Sequence, residues 1–268
     1  MNELTVTILH LSVWLFLLCA IFVPLERVFK IEKQAFFRSQ FWVDLGYYMV
    51  NGIVSGIMLT PPLAIMGGFI YQLIPIHIHE AINGLSGGAR LALSLTVGEL
   101  GFYWAHRLTH KVPLLWRFHA IHHSAKEVDF LTNTRAHPVD ILFTRICTFL
   151  PVLSLGLTGD SSTVTALFLV IGVTWGFFIH ANIRWRFGFL ENFIASPFFH
   201  HWHHTNMGQR DRNYASMLPI LDHIFGTYIS PKHWPTQYGI DAPMPVSFFG
   251  QLIKPFRNLY ASTTRRTS

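Results

Sequence analysis

"LTVTILHLSVWLFLLCAIFVPL", residues 4–25, runs without a single Asp, Glu, Lys or Arg. A helix rises about 1.5 Å per residue, so about 20 such residues match a hydrocarbon core about 30 Å thick. A signal peptide is the competing reading. No basic start precedes the run and no small-residue cleavage site closes it, so the stretch reads as a membrane span. The rest of the chain agrees: of 268 residues, 51% are hydrophobic and only 13% charged, against roughly 25% charged in an ordinary soluble domain. The two cysteines, Cys19 and Cys147, lie inside apolar runs and read as small buried hydrophobes.

Further apolar runs follow at about 41–74, 85–104, 141–157 and 163–182. The first of these contains Pro61-Pro62 and Gly67-Gly68. Proline removes a backbone donor, so this run is expected as one kinked span or as a span plus a re-entrant piece. Only "TGDSS" (158–162) separates the last two runs, which calls for a tight hairpin. Arg27, Lys30, Lys33 and Arg38 follow the first span. Arg107, Lys111, Arg117, Lys126 and Arg135 follow the third, and Arg184 and Arg186 follow the last. The opposite loops together hold one basic residue, Arg90. Alternating spans put the basic segments on one face, which the positive-inside rule makes cytoplasmic. The net charge of +6 is therefore a topology signal, and nucleic-acid binding is not expected. The expected fold is all-α: a transmembrane bundle of about four to five spans with a cytoplasmic helical cap. No linker divides it, so residues 1–268 form a single integral-membrane unit.

Sixteen histidines are present, and most fall on that face. "HRLTH" supplies His106 and His110, "HAIHH" supplies His119, His122 and His123, and "HHWHH" supplies His200, His201, His203 and His204. Residues three and four apart share a helix face, with Cβ atoms about 5–6 Å apart. His106 and His110 can thus point together, His119 faces with His122 and His123, and His200 faces with His203 and His204. His201 points elsewhere. Neutral imidazole binds zinc, iron, copper and nickel. A single zinc takes about four ligands, so this inventory fits two metals with four or five each. Five or six coordination with exchangeable positions suits iron better than structural zinc. Such a pair at the edge of the acyl region favours O2 activation and attack on an unactivated C–H bond. Two other classes remain: a hydrolase with two zinc ions and metal-bound water, and a metal transporter, which would place its ligands near mid-membrane.

The three boxes, in this order and with these gaps, resemble the fatty acid hydroxylase and sterol desaturase superfamily. "LLWRFHAIHHS" (114–124), "TRAHPVD" (134–140) and "NYASMLPILDHIFGTY" (213–228) add to the likeness, which covers roughly residues 90–230. The resemblance implies metal ligation by His106, His110, His119, His122, His123, His200, His203 and His204, with His137 and His180 as additional ligands. It implies two iron ions, with zinc as a possible substitute, and O2 as co-substrate. The substrate would be a lipid: a sterol, a fatty acyl chain or an ether lipid. Return of oxygen to the substrate gives hydroxylation; loss of a second hydrogen gives desaturation. No dinucleotide fingerprint or haem-attachment motif is present, so electrons are expected from a separate reductase or ferredoxin-like donor. The acid ahead of the first box is Glu99, and the family's usual H-P-x-E ends here in the shorter Asp140. Glu99, Asp140 and Asn182 are expected either to orient ligating imidazoles or to serve in capping and polar packing. "FGFLENFIASPFF" (187–199) is expected to guide lipid or to anchor at the interface.

Overall fold

The N-terminal apolar run folds as helix α1, Glu3–Val28, capped by Asn2, whose side chain accepts from the Thr5 amide. The computed structural model describes residues 2–159 and 161–264; Asp160 of the expected hairpin lies outside them. The second apolar run is one continuous helix, Phe41–Leu73. It comprises α2 (Phe41–Val54), a π turn (Ser55–Leu59) and α3 (Thr60–Leu73). Pro61 and Pro62 have no N–H to return to Ile57 and Met58, and their rings crowd the preceding turn. The wider π turn absorbs that conflict, and the Thr60 hydroxyl donates to the Ser55 carbonyl at 3.4 Å. The kink is thus resolved inside one helix, without a re-entrant piece.

Helix α4 (Ile76–Asn83) is short. Helix α5 (Gly87–Lys111) starts at Ser86, whose hydroxyl accepts from the Ala89 amide. It continues well past the apolar stretch, carrying His106 and His110 on its last turns. Pro113 then opens α6 (Pro113–His119), and two 3-10 turns follow, His122–Ser124 and Phe130–Thr134. Pro138 opens α7 (Pro138–Ser154), and Ser161 caps α8 (Ser162–His180). Shorter helices α9 (Pro197–His203) and α10 (Ile220–Ile224) precede α11 (Phe248–Thr264). The described residues contain no strand, only isolated bridges Lys30–Ile183 and Thr205–Tyr238.

Three helical stretches among the described residues are long and apolar enough to cross a membrane: α1, the α2–α3 helix and α8. This is an integral membrane protein. Of the other two expected spans, α5 is long enough at 25 residues but carries Arg90, Glu99 and the basic-rich end 106–111. Helix α7 has 17 residues, a rise of about 26 Å. Apolar side chains on α1 such as Val13, Phe16 and Ile21 face outward, as lipid requires. Leu18 and Phe22 turn inward onto Tyr48, Phe130, Leu131 and Phe177. Helices α5 and α7 touch backbone to backbone, since a methyl group on Gly101 would overlap the Cys147 carbonyl.

A buried ionic network joins α2 to the second 3-10 turn. Asp44 takes Arg38 and Arg135, each at 2.5 Å, and Arg38 also grips Asp129 at 2.6 Å. Asp44 and Arg135 are fully buried. Buried charges persist only when paired in this way. The network fixes the backbone at Arg135, which matters for the site below.

Candidate metal centre

Nine histidines from four segments converge at one end of the bundle. His106, His110, His119, His123 and His203 form one group, and His122, His180, His200 and His204 form a second. Within each group one ring nitrogen per residue lies within 4.8 Å of all the others. The groups adjoin: the His123 and His204 rings are 4.6 Å apart, and those of His122 and His123 are 5.4 Å apart. Helix α6 ends at His119, so the "HAIHH" box is not one continuous helix. His119 and His123 remain together, while His122 turns to the second group. In α9 and its C-cap, His200 and His204 stay together and His203 faces the first group. His201 points away, as its spacing implied; its ring meets Tyr238 Oη at 2.8 Å and the Ala181 carbonyl at 3.1 Å.

Most of these rings are oriented from behind through Nδ1. His106 donates to the Tyr214 carbonyl at 2.7 Å, His122 to the Arg135 carbonyl at 3.0 Å, and His203 to the Arg212 carbonyl at 2.8 Å. His180 donates to the Gly176 carbonyl at 2.7 Å. His110 meets Asp211 at 3.0 Å, and His119 meets Asp140 at 2.9 Å. With the proton on Nδ1, Nε2 is left as a lone pair aimed inward. In the first group Nε2 of His110, His119, His123 and His203 is buried without a partner among the described residues. In the second group His180 Nε2 lies 3.0–3.2 Å from Nε2 of His122, His200 and His204.

Converging lone pairs repel unless a shared cation lies between them, and orphaned buried nitrogens carry a desolvation penalty. Two nitrogens about 2.1 Å from one ion at a right angle lie about 3 Å apart, which matches the second group. The donor set therefore fits two metal ions. Burial, reinforced by neighbouring imidazoles, holds His122, His123, His200 and His204 well below the ordinary histidine range. The rings are thus neutral at physiological pH, the form in which imidazole can bind a metal.

The remaining expected residues separate by geometry. His137 joins neither group. It caps α7, accepting from the Val139 amide at 3.1 Å, and its other nitrogen faces the Leu252 carbonyl at 3.2 Å. With both nitrogens engaged it offers no free donor, which corrects its expected place among the ligands. Asp140 does orient an imidazole. Glu99 touches none: it accepts from the Ser216 and Met217 amides at 2.6 and 2.7 Å, holding the segment that presents Tyr214 to His106. Asn182 accepts from the Ile31 and Glu32 amides at 3.1 and 3.2 Å, tying the end of α8 to the segment after α1. Sequence reasoning missed Asp211. It belongs to a turn in which both Asp211 and Asn213 take positive φ (62° and 55°), a conformation that Asp and Asn tolerate. The "DRN" triplet was the available signal. In the segment 187–199, Phe189, Leu190 and Phe193 are exposed while Phe198 and Phe199 are core.

Fold and site together define a membrane protein whose helices present a paired histidine centre suited to two metal ions. The fatty acid hydroxylase family matches residues 91–227, about half of the chain and all nine convergent histidines. The chain belongs to this family. It is 34% identical over 172 residues to the ornithine lipid hydroxylase OlsE of Rhizobium tropici, covering 62% of this chain and 50% of that protein. It is 30% identical over 172 residues to human alkylglycerol monooxygenase, covering 62% and 36%. It is 30% identical over 142 residues to methylsterol monooxygenase 2-2 of Arabidopsis thaliana, covering 52% of each chain. The chain thus spans about half or less of the length of these relatives. No solved structure gives a significant match.

Proposed function

We propose that this protein is a membrane-bound, O2-dependent di-iron enzyme that hydroxylates or desaturates a lipid. The observation that carries this reading is the convergence of nine buried imidazoles in two adjoining groups of five and four. The relatives support the reaction class, since those named above are lipid hydroxylases and monooxygenases. Iron bound in the two groups supplies O2 activation and removal of hydrogen from an unactivated C–H bond. The protein's share is positional. Asp140, Asp211 and four backbone carbonyls fix ring tautomers, while the Arg38–Asp44–Arg135 network holds the carbonyl behind His122. A cavity of about 510 Å³ reaches His110, His123 and His203, giving substrate a path to the first group. The basic segments support a cytoplasmic position for this end of the bundle, where a separate reductase or ferredoxin-like protein supplies electrons. Residues 1–268 act as one unit.

The test is metal analysis of protein purified in detergent, with lipid mass spectrometry of cells that express it. About two irons per chain and a lipid product 16 mass units heavier or 2 lighter, formed only with O2, are expected. Turnover under anaerobic conditions with zinc in place of iron would assign the centre to hydrolysis.

A further inference from the structure

The cavity beside the first histidine group carries positive charge that the ligand arrangement does not use. Arg117, Lys254 and Arg210 line it, along with Asp211 and Asp241. The acids are accounted for: Asp241 pairs with Arg210 at 2.8 Å, and Asp211 takes Lys111 and His110, each at 3.0 Å. Arg117 and Lys254 meet no carboxylate among the described residues. The Arg117 Nη1 atom is buried without a partner. The Lys254 ammonium reaches only the Pro243 carbonyl. Leaving a guanidinium nitrogen buried and unpaired is costly, and two cations without a carboxylate partner in one cavity call for an anion.

The rest of the lining says what bears that anion. Trp116, Ala120, Ile240, Met244 and Pro255 are apolar and share the cavity with the cations. Helix α11 forms one wall: Lys254 and Pro255 face the cavity, while Phe249, Ile253 and Phe256 on its opposite side are exposed. Exposed apolar side chains at this spacing make a stripe suited to the membrane interface. The cationic mouth is therefore separated from lipid by one amphipathic helix.

We infer that Arg117 and Lys254 form a headgroup subsite for an anionic amphiphile, holding its phosphate or carboxylate at the cavity mouth while its apolar part lies toward the histidines. The inference deepens the proposed function and rests on it for the identity of the ligand as substrate.

The experiment uses the metal-loaded full chain in neutral maltoside micelles, with binding read by native mass spectrometry. The probes are hexadecyl phosphate, hexadecan-1-ol and inorganic phosphate. Charge-assisted pairing with two cations predicts at least roughly tenfold tighter binding of hexadecyl phosphate than of the alcohol. The double variant Arg117→Gln, Lys254→Gln is expected to abolish that preference, and Arg117→Lys, Lys254→Arg to retain it. Equal binding of phosphate ester and alcohol, or a preference that survives in the glutamine variant, overturns the inference. Inorganic phosphate binding as tightly as the ester also overturns it, leaving a plain anion site. Metal content of the same samples keeps the two readings apart. Metal-replete protein without a preference removes only the subsite. Metal-free protein removes the proposed function and leaves the ligand comparison to decide the subsite.

Discussion

Asp140→Asn is the most informative single change at the centre. Asp140 Oδ2 accepts from His119 Nδ1 at 2.9 Å, and both side chains are only 5% exposed. Its other oxygen has no partner among the described residues, so the carboxylate is held for the imidazole alone. Asparagine keeps the size and an acceptor oxygen but removes the charge that makes His119 a stronger donor to a cation. A charge-assisted hydrogen bond contributes about 1.5–3 kcal/mol, equivalent to roughly 10–100-fold in affinity, the range typical of lost partners behind metal ligands. The assay is competition of loaded protein against a graded chelator, with metal quantified after dialysis. The expected result is metal loss at roughly 10–100-fold lower chelator activity than wild type, with unchanged helical content. Asp140→Glu, which restores the charge, is expected to recover most of the affinity. If Asp140→Asn holds metal as tightly as wild type, His119 is not a ligand oriented in this way, and the assignment of the first group is wrong.

Three further outcomes follow from the same geometry. His137→Asn keeps a capping acceptor for α7 and is expected to retain wild-type metal content, whereas His203→Ala loses it; equal loss in both would return His137 to the ligand set. Asp44→Ala strands Arg135 in the interior, while Arg38 keeps Asp129, and is expected to destabilise the fold by about 3–5 kcal/mol, read as a lowered thermal midpoint in detergent. Metal-stripped protein is expected to lose stability as pH falls below about 6.5. The unfolded chain then binds protons that His122, His123, His200 and His204 cannot take up while buried. A thermal midpoint unchanged between pH 7.5 and 5.5 would contradict neutral burial.

The spans and the boxes were legible because both signals are local. An apolar run of membrane length announces α1 and α8 without any knowledge of packing. The three- and four-residue spacings announce that His106 with His110, and His200 with His204, share a face. What was not legible depends on where helices stop and on contacts far apart in sequence. His122 leaves His119 because α6 ends at His119, and no spacing argument that assumes a continuous helix can show this. His137 looks like a ligand in composition but faces the backbone of α7 and α11. Asp211 reaches His110 across 101 residues, and Glu99 acts on a segment more than a hundred residues away, so their partners emerge only with the fold.

The division of the boxes between the two histidine groups has a consequence for how the centre fills. Segment 119–123 sends two rings one way and one the other, and segment 200–204 does the same in the opposite proportion. Helix α5 serves only the first group and α8 only the second, but the two shared segments complete both. A small displacement of the 200–204 segment disturbs donors on both sides at once, so occupation of one half is expected to stiffen the cage of its neighbour. Loading is therefore expected to be cooperative: a metal titration of stripped protein should pass from empty to doubly filled with little singly filled species between.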